Sequence, residues 1–130
     1  MGGILIAIKN KFQAKLINIS KNNLETLFIT LKFKYQKIIL SCVYIPPASP
    51  LNIIQDYCQV LEEVIRDNAH SQVLLVGDFN LPRLMTSLPP DNQTEYLIHT
   101  LALCNLYQYN TTLTLIGSTL DLIIGYHLSR

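Results

Sequence analysis

Several features that define large classes of protein are missing from this 130-residue sequence. No apolar run approaches the roughly 18 to 20 residues that a membrane-spanning helix needs. Charged residues make up only 15% of the chain and hydrophobic residues 49%, a balance typical of a globular chain and not of a disordered one. The N-terminal stretch MGGILIAIKN lacks the basic region of a signal peptide, so no targeting signal is visible. These absences predict one globular domain without a membrane segment.

Cysteine is scarce and has no pairing pattern. The chain has three cysteines, Cys42, Cys58 and Cys104, which are far apart and set among apolar residues. An odd number at this spacing does not indicate a disulfide or zinc framework. The cysteines are expected to be buried, reduced thiols, and reduced thiols favour an intracellular setting.

Positive charge is unevenly distributed, although the net charge is only +1. Seven lysines precede residue 40, against Glu25 as the one acidic residue there: Lys9, Lys11, Lys15, Lys21, Lys32, Lys34 and Lys37. A basic first third could face a polyanion such as nucleic acid. The alternative is that these lysines form the solvated, edge-protecting side of strands.

The first third of the chain has the pattern of strands. Residues 4–8, 15–19, 24–32 and 37–45 are rich in β-branched and aromatic side chains and contain no interior glycine or proline, so they predict an antiparallel meander. Pro46 and Pro47 cannot donate to a ladder, so they end the sheet at this point.

The rest of the chain alternates helices and strands. Apolar residues at helical spacing predict an amphipathic helix over 51–68, with Ser49 as its N-cap and Pro50 in its first turn. QVLLV at 72–76 reads as a strand covered on both faces, and a loop over 81–93 leads to a second helix capped near Asp91. Residues 106–109, 112–116 and 119–124 predict further strand pieces, which gives an α/β or α+β class with two sheets, or one sheet with helices outside.

Polar groups stand where three predicted strands end. These groups are Tyr44 in VYIPP, Asp78 and Asn80 in GDFN, and Asp121 in STLDLII. Strand ends are where α/β folds collect functional groups. Structural alternatives stay open: Tyr44 as a half-buried aromatic, and Asp78 with Asn80 as an Asx turn. Asp121 lies within an apolar run, and its carboxylate needs a partner if its face of the strand is covered.

Together these elements resemble the endonuclease/exonuclease/phosphatase superfamily. VYIPP, GDFN and STLDLI occur in the family's order, and GGILIAIKN and GSTLDLI resemble in particular the endonuclease domain of jockey-type non-LTR retrotransposons. The resemblance covers essentially the whole chain. It implies a four-layered α/β sandwich of two packed sheets with outer helices, and divalent-metal-dependent phosphodiester hydrolysis by a DNA endonuclease.

The resemblance also implies roles for four residues. Asp78 would position or deprotonate the attacking water and touch the metal, which is Mg²⁺ or Mn²⁺. Asn80 would hydrogen-bond the scissile phosphate or that water, and Tyr44 would contact the phosphate through its phenol. Asp121 would orient and charge a catalytic histidine. DNA is the implied partner, and the intact parent protein would carry a reverse transcriptase domain. No membrane partner is implied.

Two elements of the family pattern have no counterpart in the sequence. One is an early Gln-Glu pair whose Glu is the principal metal ligand, and the other is a final Ser-Asp-His element with the catalytic histidine. His127 lies only six residues after Asp121, which is too close to serve as that histidine. We therefore expect residues 1–130 to form a single partial domain with little or no activity alone. Two alternatives remain, a non-catalytic nucleic-acid-binding remnant and a phosphatase-like domain acting on phosphoinositides or inositol phosphates.

Overall fold

A six-stranded sheet forms the scaffold in the computed structural model of the chain, which describes residues 3–21, 23–85, 89–108 and 122–126. The strands are β1 (Gln13–Ile17), β2 (Glu25–Phe33), β3 (Gln36–Tyr44), β4 (Gln72–Asp78), β5 (Leu106–Gln108) and β6 (Leu122–Tyr126). The helices are α1 (Leu51–Asp67) and α2 (Asn92–Leu103), with a short 3₁₀ turn at Pro82–Met85. Neither α1 nor α2 combines the length and apolarity that crossing a membrane requires.

The strand order in the sheet is β1-β2-β3-β4-β6-β5. β1, β2 and β3 form the predicted antiparallel meander, and β3 then pairs with β4 in parallel. A parallel pair needs a crossover connection, and α1 supplies it. β6 pairs antiparallel with both β4 and β5. The carboxyl ends of β3 and β4 therefore lie side by side.

The core lies between the sheet and the two helices. Alternate residues of β2, β3 and β4 are buried together with one face of α1 and of α2. Tyr57 of α1 is fully buried at the centre of this core, with its ring 6.0 Å from Phe28 and 5.7 Å from Phe79 between centroids. Its hydroxyl forms a 2.9 Å hydrogen bond with Ser41 Oγ, which satisfies both buried polar groups. Burial raises the pKa of the Tyr57 hydroxyl, so Tyr57 stays neutral.

The predicted fold class is confirmed as an incomplete α/β sandwich. The opposite face of the sheet carries apolar side chains that are half-buried, including Leu27, Leu40 and Val76. The second sheet of the expected four-layered sandwich is not among the described residues. The prediction that the 72–76 strand is covered on both faces is confirmed for one face, where Val73 and Leu75 are buried against the helices, whereas Leu74 and Val76 on the other face are half-buried.

Two predictions about local structure are wrong. Residues 4–8 do not form a strand. Ile4, Ile6 and Ile8 alternate with more exposed neighbours as a strand's residues would, but a strand also needs a pairing partner, which alternation does not provide. Ser49 is not the N-cap of α1. The helix begins at Leu51 as predicted, but Pro50 occupies the N-cap position and Ser49 Oγ donates to the Pro46 carbonyl at 2.6 Å.

Other predicted boundaries agree closely with the structure. The strand expected at 15–19 lies two residues earlier, as β1, and α1 ends within a residue of its expected end. The predicted segment 112–116 lies outside the described residues, and β6 overlaps the end of the predicted 119–124 strand. The Asp91 cap of α2 is confirmed, because its Oδ1 accepts from Thr94 N at 2.9 Å. Hydrogen bonds from Thr94 hold the pKa of the Asp91 carboxyl below its usual value.

The predicted thiol state of the cysteines is confirmed. All three are free, with Cys58 buried and with Cys42 and Cys104 half-buried. Desolvation raises the pKa of the Cys58 thiol to about 11, and it raises the pKa of the other two thiols as well. None of them is a reactive thiolate at neutral pH.

Candidate active site

Two of the predicted site residues lie on neighbouring strands. Tyr44 is the last residue of β3, Asp78 is the last residue of β4, and they are direct partners in the parallel register. Partners in a register point to the same face of the sheet, so the phenol and the carboxylate leave the sheet on the same side. The pairing continues one residue further, where Ile45 N donates to Asp78 O at 2.8 Å. The fold therefore brings together two groups that are far apart in sequence.

Asn80 lies beside Tyr44 and Asp78, and its hydrogen bonds show that Asp78 and Asn80 do form an Asx turn. Its backbone N–H donates to Asp78 Oδ1 at 2.9 Å, which is the hydrogen bond of an Asx turn. Its side-chain amide donates to the Ile45 carbonyl at 2.7 Å and so ties the GDFN turn to the end of β3. Asn80 has a φ of 48°, a left-handed conformation that asparagine tolerates better than most residues. Structural and chemical roles for Asp78 are compatible, since a carboxylate accepts several hydrogen bonds.

Gly77 is required by the packing of β3 against β4. Its φ is 142°, and a Cβ at this position would overlap the Val43 carbonyl oxygen and contact the Val43 carbonyl carbon and nitrogen too closely. Glycine is the residue that permits both this conformation and this close approach. The glycine of GDFN therefore sets the position of the carboxylate that follows it.

Phe79 anchors the GDFN turn to the core. It is 1% exposed and packs edge-on against the Tyr57 ring in the core. Asp78 and Asn80, on either side of it, are only half-buried. The functional roles predicted from the sequence do not include Gly77 or Phe79. The buried position of Phe79 could have been inferred from the sequence, because it is an aromatic residue between two polar ones. The close approach of Gly77 to Val43 could not, because no nearby residue indicates it.

A cavity of about 230 Å³ opens beside Asn80. Its walls come from the proline loop after β3, the turn after β4 and the start of α2, and its lining includes Pro46, Asn80, Pro82, Asp91 and Gln93. Apolar residues Ile45, Ile54 and Phe79 form part of the lining. A pocket with apolar walls and a few polar groups is suited to a small organic group next to the site.

The remaining candidate residues, an aspartate and three histidines, do not add to the group formed by Tyr44, Asp78 and Asn80. Asp121 and His127 lie outside the described residues. His70, just after α1, and His99, on α2, are both exposed and stay assigned to the surface. Within the described ranges, no group of three or more histidine, cysteine, aspartate or glutamate side chains could hold a metal ion. Asp78 offers one carboxylate at this strand end, and the residues described do not by themselves fit a complete metal site.

This geometry agrees with the comparisons to known proteins. The sequence model described as endonuclease-reverse transcriptase matches residues 38–128, and the chain belongs to this family. The matched range contains Tyr44, the GDFN turn and Asp121. No curated protein sequence matches the chain.

Solved structures confirm the fold. The endonuclease domain of TRAS1, a telomere-specific non-LTR retrotransposon, has a TM-score of 0.70 at 17% identity, over 91% of this chain and 57% of that domain. The human Nocturnin catalytic domain, solved with bound sulfate, has a TM-score of 0.62 at 18% identity, over 91% of this chain and 49% of that domain. Beta toxin from Staphylococcus aureus has a TM-score of 0.53 at 11% identity, over 80% and 43% of the two chains. The chain spans about half the length of these proteins.

Proposed function

We propose that the chain takes part in metal-dependent hydrolysis of DNA phosphodiester bonds, as part of a retroelement endonuclease domain. The observation that carries this proposal is the convergence of Tyr44, Asp78 and Asn80 at the carboxyl ends of two adjacent parallel strands. Membership of the endonuclease-reverse transcriptase family supports the reaction class. DNA as substrate and a reverse transcriptase domain in the intact parent protein are parts of the same proposal.

The three residues have complementary chemistry. Attack on a phosphodiester places a nucleophile next to an anion, so the reaction needs a base for the water and donors for the developing charge. The Asp78 carboxylate would orient the attacking water and accept its proton. Asn80 and Tyr44 would contact the phosphate as neutral groups that leave the Asp78 charge intact. Asp121 is proposed as a positioning residue for a histidine.

A divalent cation, Mg²⁺ or Mn²⁺, belongs to the proposal as the group that neutralises phosphate charge when it is bound. Magnesium commonly uses one or two protein carboxylates together with water and substrate phosphate. Asp78 would supply one ligand, and the described residues offer no complete set. We therefore expect slow hydrolysis by the 130-residue chain.

The test separates the turn role of Asp78 from its chemical role. Asp78→Asn keeps a carbonyl oxygen to accept from Asn80 N–H but removes the charge, whereas Asp78→Ala removes both. We expect wild-type chain to nick supercoiled plasmid with Mg²⁺ and not with EDTA, and both variants to lose at least about 100-fold in rate. Only Asp78→Ala should also lower stability in urea unfolding.

Equal nicking by wild type and Asp78→Asn would contradict the proposal, because it would indicate a contaminating nuclease. Salt-dependent DNA binding without any metal-dependent nicking would support the nucleic-acid-binding alternative. Phosphate release from an inositol phosphate without nicking would support the phosphatase alternative.

A further inference from the structure

A basic and aromatic cluster lies at the end of the sheet opposite Asp78. We call it the basic turn, and it consists of Lys11, Phe12, Lys32, Phe33, Lys34 and Tyr35. β2 and β3 meet at this turn, and the chain just before β1 packs beside it. Gln36 and Tyr44 are eight residue steps apart along β3, a distance of about 26 Å at 3.3 Å per residue. Contacts made at the basic turn therefore lie far from Asp78.

Aromatic rings hold two of the lysines in place. Phe12 and Phe33 pack with their ring centroids 5.0 Å apart. Lys11 Nζ lies 5.3 Å from the Phe12 centroid and 5.6 Å from the Phe33 centroid, and Lys34 Nζ lies 5.3 Å from the Phe33 centroid. Two ammonium groups thus share one ring. Cation–π contacts restrict these side chains without neutralising their charge.

A third lysine faces another positive charge. Lys32 and Lys37 are direct partners in the β2–β3 register, an arrangement of like charges that destabilises a hairpin. Lys37 Nζ donates to Asn68 Oδ1 at 3.0 Å, a neutral acceptor. The ion pairs Lys21–Asp56 and Arg66–Asp67, in the described part of the chain, do not involve a lysine of the basic turn. The positive charge here has no carboxylate partner in those ranges.

Protection of a sheet edge does not account for Lys32 in this cluster. β2 and β3 are interior strands, each paired on both sides, so Lys32 has no open edge to protect. Tyr35 is fully exposed at the turn, next to Lys34. An exposed aromatic ring among unneutralised lysines is the combination that binds single-stranded nucleic acid, in which phosphates contact cations and an unpaired base stacks on the ring.

We propose that the basic turn is a contact site for single-stranded nucleic acid. Lys11 and Lys34, which share the Phe33 ring, contact phosphates on that face of the sheet, Lys32 adds positive charge from the other face, and Tyr35 stacks on one unpaired base. The site requires no metal and no hydrolysis. It is independent of the proposed endonuclease chemistry, so either proposal can fail while the other stands.

The test is binding of a fluorescein-labelled 15-nucleotide oligothymidine, followed by anisotropy in EDTA over a salt series. We expect binding to weaken as salt rises, because phosphate contacts release counterions. Lys11→Gln should lower the slope of log K against log salt by about 0.7, the value for one single-strand phosphate contact. Lys34→Asn should do the same, and asparagine suits the left-handed φ of 58° at this position. Tyr35→Ala should weaken binding at least fivefold, in the range of one lost stacking contact.

Two matched variants control the test. Tyr35→Phe retains a ring and should bind like wild type. Lys21→Gln removes the same charge from a lysine paired with Asp56 at 3.6 Å and should change the slope less than Lys11→Gln does. The proposal is overturned if Tyr35→Ala binds like wild type, if Lys21→Gln matches Lys11→Gln, or if the corresponding duplex binds as tightly as the single strand.

Discussion

The two ends of the sheet are held in different ways. At the end that carries Asp78, the chain is fixed by Gly77 against Val43, by the buried Phe79 and by the hydrogen bonds of Asn80. At the basic turn, exposed lysines contact the half-buried Phe33 ring, and Lys32 and Lys37 face each other. The Asp78 end is therefore fixed by buried contacts with the core, whereas the basic turn is held by contacts at the surface.

This difference matches the chemistry proposed for each end. Hydrolysis depends on placing a few groups within fractions of an ångström, which a rigid and buried support provides. Binding of a flexible polyanion needs charge and an accessible ring, and it tolerates mobile side chains. We therefore expect substitutions at the Asp78 end to be costly, and substitutions at the basic turn to be neutral or stabilising for the fold.

The strongest test of this difference is Gly77→Ala. The added Cβ would overlap the Val43 carbonyl oxygen, in a φ region that alanine rarely adopts. We expect a loss on the order of 3 kcal/mol in the free energy of unfolding, measured with urea. Any nicking activity should fall as well, because β4 must shift relative to β3.

Gly3→Ala is the matched control, since a Cβ at Gly3 meets no atom within 4 Å. It should change stability by no more than about 0.5 kcal/mol. If the two alanine variants were equally stable, the close approach of β3 and β4 would not be what positions Asp78.

An intermediate effect is expected at Asp91, in the cavity beside the site. Asp91→Ala removes the cap of α2 and should cost about 1 kcal/mol in the free energy of unfolding. Because the folded pKa of Asp91 is lowered, its stabilisation is present above the unfolded pKa, about 3.9, and is lost as pH falls through the folded pKa.

Asp91→Asn provides the pH control, because asparagine caps a helix without titrating. Unfolding measured from pH 7 to pH 2 should show the wild type losing stability relative to Asp91→Asn at the acid end. A constant difference between the two proteins over this range would mean that the Asp91 charge does not contribute to the cap.

The smallest effect is expected at the basic turn. Lys32→Glu replaces a like-charge pair with an opposite-charge pair across from Lys37 and should stabilise the chain by about 0.2–1 kcal/mol. The same variant should weaken oligonucleotide binding. Lys32→Gln should give a smaller gain by relieving repulsion alone. Loss of stability in Lys32→Glu would contradict the expectation that substitutions at the basic turn are neutral or stabilising for the fold.

Local sequence signals predicted most elements but not all their positions. The helical spacing from Ile53 to Ile65 gave α1, and Asp91 was identified as a cap because capping involves residues only a few positions apart. The strand expected at 4–8 fails because pairing is not a local property. Ser49 fails as a cap because the N-cap position of α1 is Pro50, and the Ser49 hydroxyl donates to the Pro46 carbonyl outside the helix.

For the candidate site, the sequence identified the residues but not their support. Tyr44, Asp78 and Asn80 were chosen from their positions at strand ends, and the structure brings them together. The roles assigned to them stay predictions, as does the role of Asp121. Gly77 and Phe79 were missed as supports, because their partners Val43 and Tyr57 lie far away in the chain.

The sequence alone determined the character of each segment, because side-chain periodicity, proline breaks and turn residues act over a few positions. It showed that the first third is basic and offered an Asx turn at GDFN as one of two interpretations, and the hydrogen bond from Asn80 N to Asp78 Oδ1 then confirmed the turn. Only the tertiary structure decided that Tyr44 stands opposite Asp78, whereas the two-residue turn at Lys34 and Tyr35 places Lys32 opposite Lys37 locally. The register of β3 against β4 depends on how the core packs and on how α1 returns the chain to the sheet, and these are long-range contacts that no short stretch of sequence specifies.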